Sequence, residues 1–212
     1  MKSNATRKAR KPNPPNPPNP PNPPNSVFAG QDFSSGDGFL TTVWGPPLWH
    51  YLHTMSFNYP VHPTAADKRN YGSFIINMQH VLPCNHCRIN LKTNFKNHPL
   101  RACHLANRDA FSRYVYELHE VINKLLGKTS GLSYCDVRER YEHFRARCTN
   151  PRMAKANTNK KKEKGCTEPL YGTHSKCVLK IVPQDVQAET LSIDRQCIKR
   201  KGPLHPELTK AV

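Results

Sequence analysis

Between residues 45 and 148 apolar side chains recur every three to four positions, and no convincing alternating strand interrupts them. Leu48, Trp49, Leu52, Met55, Ser56 and Tyr59 fall on one helical stripe. Gly45-Pro46-Pro47 reads as the break before it, which predicts a helix with prolines in its first turn that stops at Tyr59-Pro60. A second helix begins at Thr64, whose hydroxyl can cap the amide of Asp67, and continues through Tyr71, Phe74, Ile75, Met78 and Val81 until Pro83. The third enters at Cys84 and Cys87 and carries Leu91 and Phe95 as far as Pro99. The fourth has Asn107 as N-cap, then Phe111, Tyr114, Val115, Leu118, Ile122 and Leu125 on one face, closed by a left-handed Gly127. A short fifth helix starts at Asp136, paired with Glu139, and contains Tyr141 and Phe144 before Cys148. The fold class is all-α: a four-helix bundle plus a short fifth helix, with disordered N- and C-terminal extensions.

Composition sets the edges of that bundle. Lys11 to Asn25 is a Pro-Pro-Asn repeat, which buries no apolar surface and favours an extended polyproline spacer. The domains expected are a basic, Pro/Asn-rich extension over 1–40, a helical domain over 41–149 and a basic, mostly flexible tail over 150–212. In that tail only Cys177 to Val182 has the composition of an isolated strand. The formal net charge is +17. Residues 1–30 carry five Lys or Arg and no acid, and 151–212 carry thirteen basic against six acidic, so most of the excess lies outside the helical core. Such tails attract an acidic partner nonspecifically. They lack the interleaved aromatics of a nucleic-acid reader, so nucleic-acid binding as the main activity is disfavoured. With no membrane-length apolar segment and no apolar N-terminal leader, a cytoplasmic location without a signal peptide is the expectation.

Eight cysteines in such a setting direct attention to metal or redox chemistry. Cys84-Asn85-His86-Cys87 enters a helix, where the positive dipole end and free amides favour thiolates, and His86 adds a cation beside the sulfurs. A redox pair, a zinc clamp and two inert buried thiols all remain open at this point. Zinc lacks a second close pair: Cys103, Cys135 and Cys148 are single, and Cys166 and Cys177 stand in the polar tail. A zinc-stabilised helical protein that binds nucleic acid through its tails is the alternative function; a thioredoxin-type protein would carry its CxxC after a strand.

As a set, "WGPPLWHYLHTMSFNYP", "LPCNHC" and "HEVINKLLGK" resemble the opening helix, the active-site CxxC and the HNxVNxxLxK segment of the Erv/ALR-type FAD-linked sulfhydryl oxidases, and particularly the short thiol oxidases of large DNA viruses. The resemblance covers about 45–145. It implies a homodimeric helical bundle that holds FAD and forms disulfides in protein dithiol substrates, with molecular oxygen as acceptor and hydrogen peroxide as product. Cys84 would be the interchange sulfur and Cys87 the one next to the flavin. Gly45, Trp49, His53, Cys87, His119, Asn123, Lys128 and Tyr141 would bind the cofactor, and no metal is implied. Under the viral likeness the substrates would be virion proteins, with the protein in the host cytoplasm or virion, and Cys166, Cys177 or Cys197 could act as a shuttle on a flexible arm. Three positions depart from the family pattern. Glu120 replaces an Asn, Tyr141 stands where a Trp is frequent, and Tyr116 takes the place of the first cysteine of a structural disulfide, leaving Cys135 with Cys103, Cys148 or no partner.

Overall fold

A computed structural model describes residues 27–149 and 165–199. The Pro-Pro-Asn repeat and the Lys-rich run at 160–164 lie outside the described residues. The chain divides between Asp37 and Gly38 into two units. In the first, helix α1 (Gly30–Phe33) is a single turn in which the Asp32 carboxylate accepts the Ala29 N–H at 2.7 Å. It lies within the stretch read from sequence as extension.

The second unit holds α2 (Thr41–Phe57), α3 (Ala65–Val81), α4 (Asn85–Asn97), a 3₁₀ turn (Ala102–Leu105), α5 (Arg108–Leu125) and α6 (Tyr134–Glu142). α2 packs along α5, α3 along α4, and α6 touches both α2 and α5. This is the all-α bundle with a short appended helix. Its core is one cluster in which Leu52 and Tyr59 meet Ile75 and Met78, Leu91 and Phe95, and Phe111, Tyr114, Val115 and Leu118. The α5 stripe is buried from Phe111 to Leu118 as its periodicity predicts, while Ile122 is half-buried and Leu125 at its end is exposed.

Local capping explains most of the boundaries. Thr64 Oγ1 accepts the Asp67 N–H at 3.1 Å while Asp67 accepts the Thr64 N–H at 2.8 Å, a closed capping box. Asn107 Oδ1 accepts the Ala110 N–H at 2.9 Å. At the far end of α5, Gly127 has φ of 65°, with Lys128 N–H bonded to Asn123 O at 2.9 Å and Gly127 N–H to Lys124 O at 3.1 Å, the paired bonds of a Schellman motif.

Four sequence expectations need correction. α2 starts at Thr41, four residues before Gly45, and runs straight through Pro46 and Pro47. The prolines forfeit two backbone bonds, but the turn before them is anchored from outside: Phe39 N–H donates to Pro83 O at 2.8 Å and the Trp44 indole N–H to Phe39 O at 3.0 Å. α6 is capped by Ser133, with Asp136 as its reciprocal partner; Asp136 is not itself the cap, because a Ser three residues earlier completes the box. A strand does occur at the edge of the helical region, as β1 (Ala146–Thr149) pairs antiparallel with β2 (Gly165–Pro169). Finally, Cys177 to Val182 is not a strand: its Val178, Leu179 and Ile181 are exposed, and no neighbouring strand pairs with it among the described residues.

Candidate functional site

The CxxC pair is built by the α3–α4 corner. Leu82, restricted by the following Pro83, takes an extended conformation that ends α3. Two residues later Cys84 becomes the N-cap of α4, its sulfur accepting the Cys87 N–H at 3.2 Å. Thr41, the first residue of α2, places its hydroxyl 3.5 Å from Cys87 Sγ. Both cysteines are half-buried free thiols.

The two sulfurs are not equivalent. Bonding from Cys87, with smaller help from Thr41 and the backbone N–H of His86, holds the Cys84 thiol below its ordinary value. Burial pushes the Cys87 thiol up, the bond it shares with Cys84 adds to this, and Thr41 works in the opposite direction. Cys84 is therefore the readier thiolate. His86, read from sequence as a cation beside the sulfurs, has an exposed side chain and acts through its backbone amide.

Further along α2 lies an aromatic nest. Trp49 and His53 sit one turn apart, as do His119 and Asn123 on α5. Because α2 packs along α5, the Trp49 and His119 rings stack with centroids 3.9 Å apart and planes 7° from parallel. His53 Nε2 and His119 Nδ1 share a hydrogen bond of 3.0 Å, and Tyr141 from α6 lies 5.3 Å from His53. Burial, then the neighbouring His119 and His50, lowers His53 to about 3; burial lowers His119 to about 4. Both imidazoles are neutral at pH 7, so this is an uncharged, polarisable surface. Asn123 donates to Glu120 at 3.1 Å, and Lys128 is exposed just beyond the Schellman turn.

Trp49, His53, His119 and Tyr141 thus meet in one place, and Cys84 and Cys87 in another. Thr41, Gly45, Trp49 and His53 are spaced four apart along α2, so one stripe joins the two places over about 18 Å. Gly45 is buried, yet a Cβ there would meet only Thr41 of its own helix, at 3.8 Å, so the space beside its backbone is not filled by a neighbouring element. His53 Nδ1 and His50 Nδ1 are buried and have no hydrogen-bond partner among the described residues. A glycine and Trp49, stacked on His119, along this stripe, with the orphan ring nitrogens of His53 on it and His50 beside it, fit a long, partly aromatic cofactor such as FAD. Sequence reasoning missed Thr41 and His50; the i, i+4 spacing of Thr41 with Gly45 was the available signal, hidden by reading Gly-Pro-Pro as a break.

Of the other cysteines, Cys103, Cys135, Cys177 and Cys197 are free thiols, and Cys166 is disulfide-bonded. Tyr116 donates to Leu132 O at 2.8 Å and packs edge-on against Tyr134, in a small second core with Phe57 and Val137. Among the described residues no three His, Cys, Asp or Glu side chains are grouped to hold a metal ion, and no helix is long and apolar enough to cross a membrane.

The sequence pattern of the Erv1/Alr family matches residues 46–144. A probable FAD-linked sulfhydryl oxidase of Acanthamoeba polyphaga mimivirus is 33% identical over 99 residues, which cover 47% of this chain and 68% of that protein. The FAD-linked sulfhydryl oxidase ERV1 of Arabidopsis thaliana is 27% identical over 84 residues, covering 40% of this chain and 42% of the relative, so the chain spans under half the length of that plant protein. Among solved structures, the yeast Erv1 core aligns with a TM-score of 0.45 and 24% identity, covering 56% of this chain and 93% of that one. The chain belongs to the Erv1/Alr family.

Proposed function

We propose that the protein is a FAD-dependent thiol oxidase that forms disulfides in protein dithiols through Cys84 and Cys87, with molecular oxygen as electron acceptor and hydrogen peroxide as product. One observation carries this reading: a CxxC pair at the N-terminus of α4 abuts Thr41, at one end of the α2 stripe whose other end brings Trp49 and His53 to the nest with His119 and Tyr141. Family membership supports it, since the relatives are named FAD-linked sulfhydryl oxidases.

A substrate thiolate attacks Cys84 Sγ in the oxidised pair. The S–S bond breaks, the electron pair goes to Cys87 Sγ, and a mixed disulfide with Cys84 forms. The second substrate thiolate attacks the substrate sulfur of that mixed disulfide and releases Cys84 as the thiolate, the form its surroundings favour. The substrate leaves with its disulfide, and the enzyme pair holds the two electrons. When bound, FAD would supply the two-electron acceptor between that pair and oxygen. Trp49, His53, His119 and Tyr141 would hold the cofactor through stacking and neutral imidazole contacts, with Gly45 and Cys87 at the sulfur end and Asn123 and Lys128 at the close of α5. Neutral histidines add no fixed positive charge beside the rings.

We take the homodimer as part of this reading, supported by the exposed Tyr51 and Phe74 in edge contact across α2 and α3. Likeness to a mimivirus protein favours virion proteins in a host cytoplasm as substrates. The test is direct. Purified protein should be yellow and consume oxygen with dithiothreitol, and Cys87→Ser should stop oxygen consumption while flavin stays bound. A colourless protein carrying zinc would overturn the proposal.

A further inference from the structure

The segment Gly38 to Thr41 lies directly on the CxxC corner. Phe39 N–H donates to Pro83 O at 2.8 Å, and Phe39 O is held by the Trp44 indole at 3.0 Å. Gly38 approaches so closely that a Cβ would stand 2.7 Å from Pro83 O and 3.2 Å from Cys84 Cα. Backbone oxygen cannot swing aside, so only glycine fits there. The helix that follows has Leu40 as its N-cap, with no side-chain cap bond. Leucine offers no side-chain oxygen to the free amides of the first turn, as a Ser, Thr, Asp or Asn there would. The start of α2 is thus fixed by tertiary contacts, and the Thr41 hydroxyl, which the helix end does not use, points 3.5 Å from Cys87 Sγ.

We infer that Gly38 to Thr41 is a strap that positions the Thr41 hydroxyl as the hydrogen-bond donor to the Cys87 thiolate formed when the disulfide is opened. This rests on the redox reading above and adds a residue to it. When a substrate thiolate attacks Cys84 Sγ, the electron pair of the broken S–S bond lands on Cys87 Sγ, and a leaving sulfur departs faster when its thiolate is stabilised. Charged sulfur accepts a bond more strongly than the disulfide does, so the contact favours the opened state. When the pair is reduced and Cys87 is a neutral thiol, its S–H can donate to Thr41 Oγ1 instead.

The experiment compares Thr41→Val, Thr41→Ser and Gly38→Ala in the full chain carrying Cys84→Ser, which isolates Cys87. Alkylation of Cys87 by iodoacetamide is followed against pH, with peptide mass spectrometry separating it from Cys103, Cys135, Cys177 and Cys197. Near neutral pH, Thr41→Val should react about threefold to tenfold more slowly, with its thiolate midpoint moved up, the scale of losing one hydrogen bond of ordinary net strength. Thr41→Ser should restore the parent rate, and Gly38→Ala should behave like Thr41→Val. A Thr41→Val midpoint equal to the parent's overturns the inference, as does a Thr41→Ser variant as slow as Thr41→Val. Circular dichroism of each variant checks that the helices are intact. Because alkylation needs neither flavin nor oxygen, its outcome is separate from the oxygen-consumption test. A yellow, active protein with an unmoved Thr41→Val midpoint refutes the strap alone.

Discussion

Acidification from pH 7 to pH 5 should destabilise this domain through two side chains. His53 is lowered to about 3 and His119 to about 4, both from an ordinary 6.5, and burial is the largest cause in each. In the unfolded chain both imidazoles take up a proton below pH 6.5; in the folded chain neither does until the pH nears 4. The unfolded state therefore binds more protons across this window, and stability falls as pH falls. At pH 5 the unfolded form is 1.5 pH units past its midpoint, so each histidine costs about 2 kcal/mol and the two together about 4 kcal/mol. That is a large share of the roughly 5–15 kcal/mol that holds a typical domain together. The capping carboxylates Asp67 and Asp136 and the Arg145-paired Glu142 are also shifted, but downward from ordinary values of 3.8 and 4.5. Their stabilisation is lost only at lower pH, outside this window. Urea unfolding at the two pH values, in saturating FAD, measures the difference. The histidine Cε1–H resonances report in parallel whether the two rings titrate. A stability loss below about 1 kcal/mol, or a His53 or His119 resonance with a midpoint near 6.5, would refute the claim that these rings are buried and neutral.

Three further outcomes test the scaffold. Gly127→Ala should lower unfolding free energy by about 1 kcal/mol, since the site is sterically open and only the left-handed backbone resists a side chain; an unchanged denaturation midpoint would mean the turn tolerates L-residues. Phe111→Ala, at 0% exposure between Tyr59 and Tyr71, should cost about 3–5 kcal/mol in the same assay, and a cost under 1 kcal/mol would place the core elsewhere. Ser133→Ala should remove about 1 kcal/mol, with Asp136→Ala adding little on top because the two share one capping box; fully additive losses would show that they act separately.

The parts of the fold that were legible in the sequence are those whose cause is local. Thr64 with Asp67, Asn107 with Ala110, and the left-handed Gly127 each satisfy helix-end groups within a few residues, so the pattern alone locates them. The α5 stripe was legible because every fully buried position on it faces a single core. By contrast, the start of α2 depends on Phe39 reaching Pro83, more than forty residues away, and nothing in "FLTTVWGPP" announces that contact. The β1–β2 pair was missed for the same reason, since each four- or five-residue strand is defined by its partner.

The site shows how one such long-range contact changes the chemistry that can be read. With α2 starting at Gly45, the stripe holds Trp49 and His53 and ends short of the sulfurs, so the CxxC and the aromatic nest look like two motifs linked only by family resemblance. With α2 starting at Thr41, the same four-residue spacing runs from Thr41, beside Cys87 Sγ, through Gly45 to His53 on one helix. A single helix then sets both the contact to Cys87 Sγ and the position of the stacked rings. Gly45-Pro46-Pro47 sits midway along it, where prolines stiffen the turn and the glycine leaves its face open. The motif that first reads as a boundary lies inside the helix that joins the sulfurs to the stacked rings, and the missing Cβ of Gly45 matters because the chain continues as helix on both sides of it.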